Sequence, residues 1–287
     1  MSSKVIIYTI ILCIILIIII NHKYSIYPII NNYSYISFNN YINSNFIPSS
    51  NLNYPNIIFL YSHDYKILPQ YFQYALHNLK KYCNLHNYNF IIKNHYPNTT
   101  ISPYWLRVKD LIELSNKYPE NSAIIIYLDL DTIINLKYTN LKLDKLLNII
   151  DIYDNKNYDI YIGKDCKINK YINSGVLFIK NTKYSKELLN NWYKLYNPTN
   201  WKYNNHYWTC KTNFIPCIWA GYQYEQGALE YIYKNNLFNS KNHIKILHTS
   251  FCSSSNFYAD SFIYHFMGIS TQKRIQYMKQ LTLISKI

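Results

Sequence analysis

The segment Tyr127-Leu128-Asp129-Leu130-Asp131-Thr132 places two carboxylates directly after a continuous apolar run. The i, i+2 spacing puts both on one side of an extended segment. Two such groups repel unless a cation lies between them. Hard oxygen ligands suit Mg²⁺ or Mn²⁺, ions that commonly bind substrate phosphates as well. The plain alternative is two solvated aspartates at a strand end. His265, in His265-Phe266-Met267-Gly268, is a candidate third ligand, although a lone histidine is more often a surface or satisfied core residue. Arg107, two residues after Trp105, is one of two arginines against 27 lysines. A planar fork for phosphate is one task lysine does not replace, with a surface salt bridge as the alternative.

Two further motifs fit a site for a polyhydroxylated ligand. Asn173-Ser174-Gly175 opens an apolar stretch. Asparagine both donates and accepts there, and glycine admits close approach, although an ordinary turn would look the same. Glu225-Gln226 sets a carboxylate and an amide at a helix start, where simple capping is the competing explanation. Trp201, Tyr203, Tyr207, Trp208, Phe214 and Trp219 crowd one region. Aromatic faces stack on sugar rings, but they also fill cores.

The elements that must position these residues can be read from patterning. Short β-branched and aromatic runs predict strands at 56–62, 89–93, 123–130, 159–162, 172–180, 244–248 and 262–266. Helical spacing covers 67–86, 105–117 with Pro103 at its start, 185–195 and 224–235. Residues 196–222 read as a long irregular stretch. Alternation of strand and helix predicts an α/β domain with a mainly parallel sheet flanked by helices, over 56–287. The aspartates then leave the carboxyl end of a buried strand, where open α/β sheets place ligands.

The rest of the 287 residues sets the context. Ile, Asn and Tyr number 46, 38 and 34, a bias that tracks AT-rich coding rather than function. Apolar residues make up 49% of the chain, which argues against disorder, and no repeat suggests a solenoid. The net charge of +14 would draw anionic ligands, although AT-rich coding that fills exposed positions with lysine is the plain alternative. No compact basic run or zinc-finger spacing points to nucleic acid. Residues 1–4 form a short tail, and 5–20 an uncharged, Ile-rich run followed by Asn21-His22-Lys23. No small-residue cleavage site follows, so this run reads as an uncleaved transmembrane signal-anchor. Residues 21–55 read as a stem. Six cysteines include no C-x-x-C; Cys210 and Cys217 are close enough for a loop disulfide, and free thiols are the alternative.

Taken in order, W-x-R, YLDLD, NSG-VLFI, EQ-x-AL and HF-x-G resemble nucleotide-sugar glycosyltransferases of the GT-A fold. The pattern is most similar to the galactosyl/mannosyl/xylosyltransferase family, over roughly residues 56–268. The resemblance implies that Asp129, Asp131 and His265 hold Mn²⁺ (or Mg²⁺) against the donor diphosphate. It implies that Arg107 faces the nucleotide or phosphates, that Asn173 and Gly175 line the donor sugar, and that Glu225 and Gln226 stand beside the reacting carbon. The family often has Asp where this chain has Glu225. It also has a basic residue soon after the histidine, for which Lys273 is the candidate. The implied activity is transfer of a hexose or pentose, first galactose, from a nucleotide-diphosphate sugar to a glycan or glycoprotein, with retention; UDP-galactose is the first expectation, and UDP-xylose, UDP-glucose and GDP-mannose stay open. A short tail, one anchor and a stem match a type II protein facing the Golgi or ER lumen, or a virus-modified host membrane. A haloacid-dehalogenase-type phosphohydrolase, an inactive glycan-binding protein and a structural envelope protein are the competing readings.

Overall fold

The computed structural model describes residues 55–98, 100–165, 172–204, 207–210, 220–248, 251–253 and 261–283. The expected signal-anchor at 5–20 and nearly all of the stem lie outside these residues. Among the described residues no helix is long and apolar enough to cross a membrane.

The elements run β1 (Asn56–His63), α1 (Phe72–His86), β2 (Asn89–Asn94), α2 (Pro103–Lys117), β3 (Ala123–Leu128), β4 (Thr132–Ile134), α3 (Leu143–Tyr153), β5 (Ile160–Gly163) and β6 (Asn173–Lys180). There follow α4 (Lys183–Tyr193), β7 (Trp201–Asn204), β8 (Tyr207–Cys210), α5 (Glu225–Lys234), α6 (Ser240–His243), β9 (Ile244–Leu247), β10 (Cys252–Ser253), β11 (Ile263–His265) and α7 (Thr271–Leu283).

Six strands form the central sheet in the order β2-β1-β3-β6-β5-β9. Three of its five pairings are parallel, and β6 runs antiparallel to both β3 and β5. The sheet is covered on both faces, and alternate residues go to opposite sides. Phe59, Ile124, Ile126 and Phe178 share a core with α1, α3 and α7. Leu60, Ile125, Tyr127 and Leu177 share a second core with α2, α4 and α5. All six residues of β3 are buried, as its unbroken apolar sequence requires. Burying each such isoleucine is worth about 1.5–3 kcal/mol. The helix starts have local causes: Pro103 sits in the first turn of α2, and Thr182 and Ser185 form a reciprocal capping box at α4.

Several expected boundaries shift. The first helix begins at Phe72 rather than 67, because Pro69 disfavours helix at the residue before it and Ile67 is left 82% exposed. The β3 strand ends at Leu128, so Asp129–Asp131 form a turn into β4. The stretch 196–222 is not wholly irregular: β7 and β8 pair as an antiparallel hairpin. Helices α3 and α7 and strand β4 were not anticipated. In α3, Leu143, Leu146, Leu147 and Ile150 carry helical spacing into the core.

Candidate active site

Topology explains why residues far apart in sequence converge. Because β6 is antiparallel to β3, its first residues lie beside the last residues of β3. Leu128 pairs with Val176, and the Asp129 N–H donates to the Gly175 carbonyl at 2.8 Å. A second, small sheet brings the chain's end to the same point. There β11 pairs antiparallel with β4, setting His265 opposite Thr132, and the Phe266 N–H donates to the Asp131 carbonyl at 2.9 Å.

His265 Nε2 therefore stands 3.4 Å from Asp129 Oδ2 and 3.3 Å from Asp131 Oδ1. One ligand atom from each of the three side chains lies within 4.8 Å of the others. This nitrogen is buried and makes no hydrogen bond. Burial alone would lower the pKa of His265, but the carboxylates of Asp131 and Asp129 outweigh it and raise the value to about 10. A buried imidazole nitrogen with no hydrogen-bond partner, facing two carboxylate oxygens, is a donor set that fits Mn²⁺ or Mg²⁺. Gly175 forms part of the same cradle. A Cβ built there would lie 2.2 Å from His265 Cε1 and 2.5 Å from Asp129 Oδ2.

Cations flank the trio. Arg107 Nη1 is 3.1 Å from Asp129 Oδ1 and 3.5 Å from Glu225 Oε1. Its burial opposes charge, yet Asp129, Tyr127 and Glu225 more than offset that, so the guanidinium stays charged. Burial likewise pushes Asp129 up, but Arg107 and His265 hold it below the usual carboxylate range. The Tyr127 hydroxyl donates to Asp129 Oδ1 at 2.8 Å. On the other side, Arg274 Nε lies 3.0 Å from Asp131 Oδ2 and donates to the Phe266 carbonyl at 2.9 Å.

The start of α5 forms the adjoining wall, fixed by two indoles. Trp105 donates to the Gln223 carbonyl at 2.9 Å, and Trp192 to the Glu225 carbonyl at 2.8 Å. This gives the Trp105 of the W-x-R pattern a structural task. Gly227 lets the helix start press against the chain at Gly221, whose carbonyl oxygen would lie 2.0 Å from an added Cβ. Glu225 Oε1 accepts from the Ser174 hydroxyl at 3.1 Å, and Gln226 Oε1 accepts from the Ser174 N–H at 3.1 Å. Gln226 Nε2 donates to Asp165 Oδ2 at 3.4 Å. Burial raises the pKa of Glu225, with Arg107 opposing the shift.

A cavity of about 1030 Å³ joins these groups. Arg107, Asp129, Asp131, Asn173, Glu225, Gln226 and His265 all line it, with Gly175 beneath the trio. Lys273 does not line it; the neighbouring Arg274 does, because that position on α7 faces Asp131. Arg274 was legible in one respect, as the other of the chain's two arginines. Asp165 and Ser174 were also missed. Asp165 lies just beyond the carboxyl end of β5, and Ser174 is the middle residue of the Asn-Ser-Gly motif. Of the aromatic group, Tyr203, Tyr207 and Trp208 line the cavity and Trp201 is in the core. Phe214 and Trp219 lie outside the described residues.

No curated protein matches the chain. Among solved structures, a glycosyltransferase involved in the glycosylation of the major capsid of PBCV-1 is similar at 21% identity and a TM-score of 0.57. That likeness covers 79% of this chain and all of the other, and shows a shared fold. Mouse xyloside xylosyltransferase 1 in its apo form is more distant, at 11% identity and a TM-score of 0.40 over 74% of this chain and 97% of that one. The family model described as the galactosyl transferase GMA12/MNN10 family matches residues 57–261, a span that holds the aspartate pair, the Asn-Ser-Gly start of β6 and the Glu-Gln helix start. The chain belongs to the galactosyl transferase GMA12/MNN10 family.

Proposed function

We propose that this glycosyltransferase is metal-dependent and moves a hexose or pentose, first galactose, from a UDP-sugar to a glycan or glycoprotein. The observation that carries the reading is the buried Nε2 of His265, without a hydrogen-bond partner and facing the carboxylates of Asp129 and Asp131. These three would hold Mn²⁺, or Mg²⁺. When bound there, the ion would supply Lewis-acid stabilisation of a departing diphosphate. Arg107 and Arg274 add fixed positive charge on either side of the trio, where the leaving oxygen gains negative charge. Asn173 and Gly175 border the space for the donor sugar. Gln226, its carbonyl oxygen held by Ser174, is the group we set beside the carbon that gains positive character as the bond breaks. Glu225 is tied to Arg107 and Ser174, which supports an orienting role over a covalent one. Departure and attack on one face of the sugar give retention.

We further propose that residues 5–20 anchor the protein in a membrane and that 21–55 link the anchor to a catalytic domain at 56–287. The domain would face a Golgi or ER lumen, or the equivalent side of a virus-modified host membrane. Cys210 is disulfide-bonded, which supports an oxidising compartment.

The test is nucleotide release by the full-length protein with UDP- and GDP-sugars and Mn²⁺, with and without chelator, beside Asp131→Asn. Chelator-sensitive release of one nucleotide, reduced at least about 100-fold in the variant, is expected. Release indifferent to chelator would refute the metal-dependent reading.

A further inference from the structure

Asp110, a fully buried carboxylate on α2, has no part in the mechanism above. We propose that Asp110 is a positioning residue: it locks α2 to the ends of β1 and β2, and so holds the Arg107 guanidinium against Asp129. This rests on the transferase reading and adds to that site a residue outside the cavity.

Asp110 gathers partners from two strands. Its Oδ2 accepts from the Ser62 hydroxyl at 2.5 Å and from His95 Nε2 at 2.7 Å. Lys93 Nζ stands 3.0 Å from Oδ1, as an ion pair rather than a hydrogen bond. Ser62, near the end of β1, pairs in register with Lys93, near the end of β2. His95 follows β2 directly, and its N–H donates to the His63 carbonyl at 2.8 Å. Ser62 and His63 line the cavity, whereas Asp110 does not.

Stability is a poor account of this carboxylate. The buried face of α2 is otherwise Trp105, Leu106, Val108, Leu111, Leu114 and Ser115. A buried ion pair is often no more stable than apolar residues of similar volume. What the carboxylate adds is direction. Apolar burial is non-directional, whereas bonds to a carboxylate fix angle as well as distance.

Arg107 is the residue that such a lock would serve. It sits one turn before Asp110, on the same face of α2. Its Nη1 meets Asp129 at 3.1 Å and Glu225 at 3.5 Å, while its Nε is buried without a hydrogen-bond partner. Its reach to Asp129 is therefore set by where α2 places the Cα. The strand that Asp110 grips, β1, is paired with β3, whose end leads into Asp129. The lock thus fixes α2 against the same strand ends that carry the acids.

The experiment follows the arginine Nε–H signals of ¹⁵N-labelled full-length protein by NMR, beside Asp110→Asn and His95→Ala. The chain has two arginines, so the signal lost in Arg107→Ala assigns the pair. Asp110→Asn keeps the size of the side chain and should shift or broaden the Arg107 signal while the Arg274 signal stays. His95→Ala removes one tether from a part-exposed position and should move the same signal by less. In nucleotide release, Asp110→Asn should lower kcat about tenfold or more, with the donor KM within about threefold. In an Arg107→Ala background the same change should alter kcat by less than about twofold, because the group it positions is gone. An Arg107 signal unmoved in both variants, with matching circular dichroism, would overturn the lock. So would a kcat loss that persists in full without Arg107. A moved Arg107 signal with no nucleotide release by the wild type from any donor would instead refute the transferase reading and leave the positioning standing.

Discussion

Replacing Gly175 by alanine isolates the fit of the candidate metal site, because it adds one methyl group and removes nothing. That methyl would lie 2.2 Å from His265 Cε1, 2.5 Å from Asp129 Oδ2 and 2.9 Å from His265 Nε2, where ordinary contact is 3.4–4 Å. One side chain or the other must move by more than about 1 Å. Backbone conformation does not demand the glycine: among the described residues Gly268 is the glycine with positive φ. Alanine at 175 would itself gain about 0.4–1 kcal/mol through the unfolded chain. Overpacking costs about 1–3 kcal/mol, so net stability should fall by about 1–2 kcal/mol. The functional cost is larger, since misplacing reacting groups by about 1 Å can cost 100-fold. Isothermal titration with Mn²⁺, nucleotide release and thermal melting would be measured on the same preparation. A folded variant with Mn²⁺ affinity reduced at least about tenfold and release reduced about 100-fold is expected. Wild-type Mn²⁺ affinity and turnover in Gly175→Ala would refute the assignment of the trio as the metal site.

Three other outcomes can be checked. Arg274→Ala should lower turnover by about 100-fold, and Arg274→Lys should recover little of it, because lysine has no counterpart to the Nε–H held by the Phe266 carbonyl. Lys273→Ala, outside the cavity, should stay within about twofold of wild type; nucleotide-release kinetics decide between the two positions. Lys180 is buried, bonded to Asp151 and to Asn157 at 2.8 Å, so Lys180→Met should cost about 3 kcal/mol in urea unfolding by stranding the carboxylate. Adding Asp151→Leu should recover part of that loss, and a cycle showing simple additivity would count against the pair. Stability should also fall in alkali. Burial pushes the Cys83 thiol from its ordinary 9.0 up to about 12, and the Tyr71 and Tyr104 hydroxyls from 10.0 to about 12. Each group binds its proton more tightly when folded, so its stabilisation is complete below the unfolded pKa and is lost between about pH 9 and 12. The slope approaches about 1.4 kcal/mol per pH unit for each group. Thermal melts from pH 8 to 11 that show no decline would contradict this.

Much of the site was legible because the chemistry needs particular residue types against a strong compositional bias. Aspartates after an apolar run, two arginines among many lysines and a few glycines beside polar motifs stand out whatever the fold. The strand at 123–128 was equally plain, because a strand buried on both faces has to be apolar throughout. The sequence by itself therefore determined the class of domain, the acidic pair, and the residues around Gly175 and Gln226. It did not determine direction or distance. The antiparallel course of β6 brings Gly175 against Asp129, and strand direction leaves no mark in local hydrophobic pattern. The pairing of β11 with β4 spans more than a hundred residues and carries His265 to Asp131. Helix α7 has few buried residues and a weak apolar stripe, so nothing local distinguished exposed Lys273 from Arg274, which is turned towards the site. The β7–β8 hairpin was hidden for a related reason, since tyrosines are scattered throughout this chain and only packing shows which face a cavity. Residue type is fixed by local chemistry, whereas convergence depends on contacts between distant segments, and those are decided only when the sheet assembles.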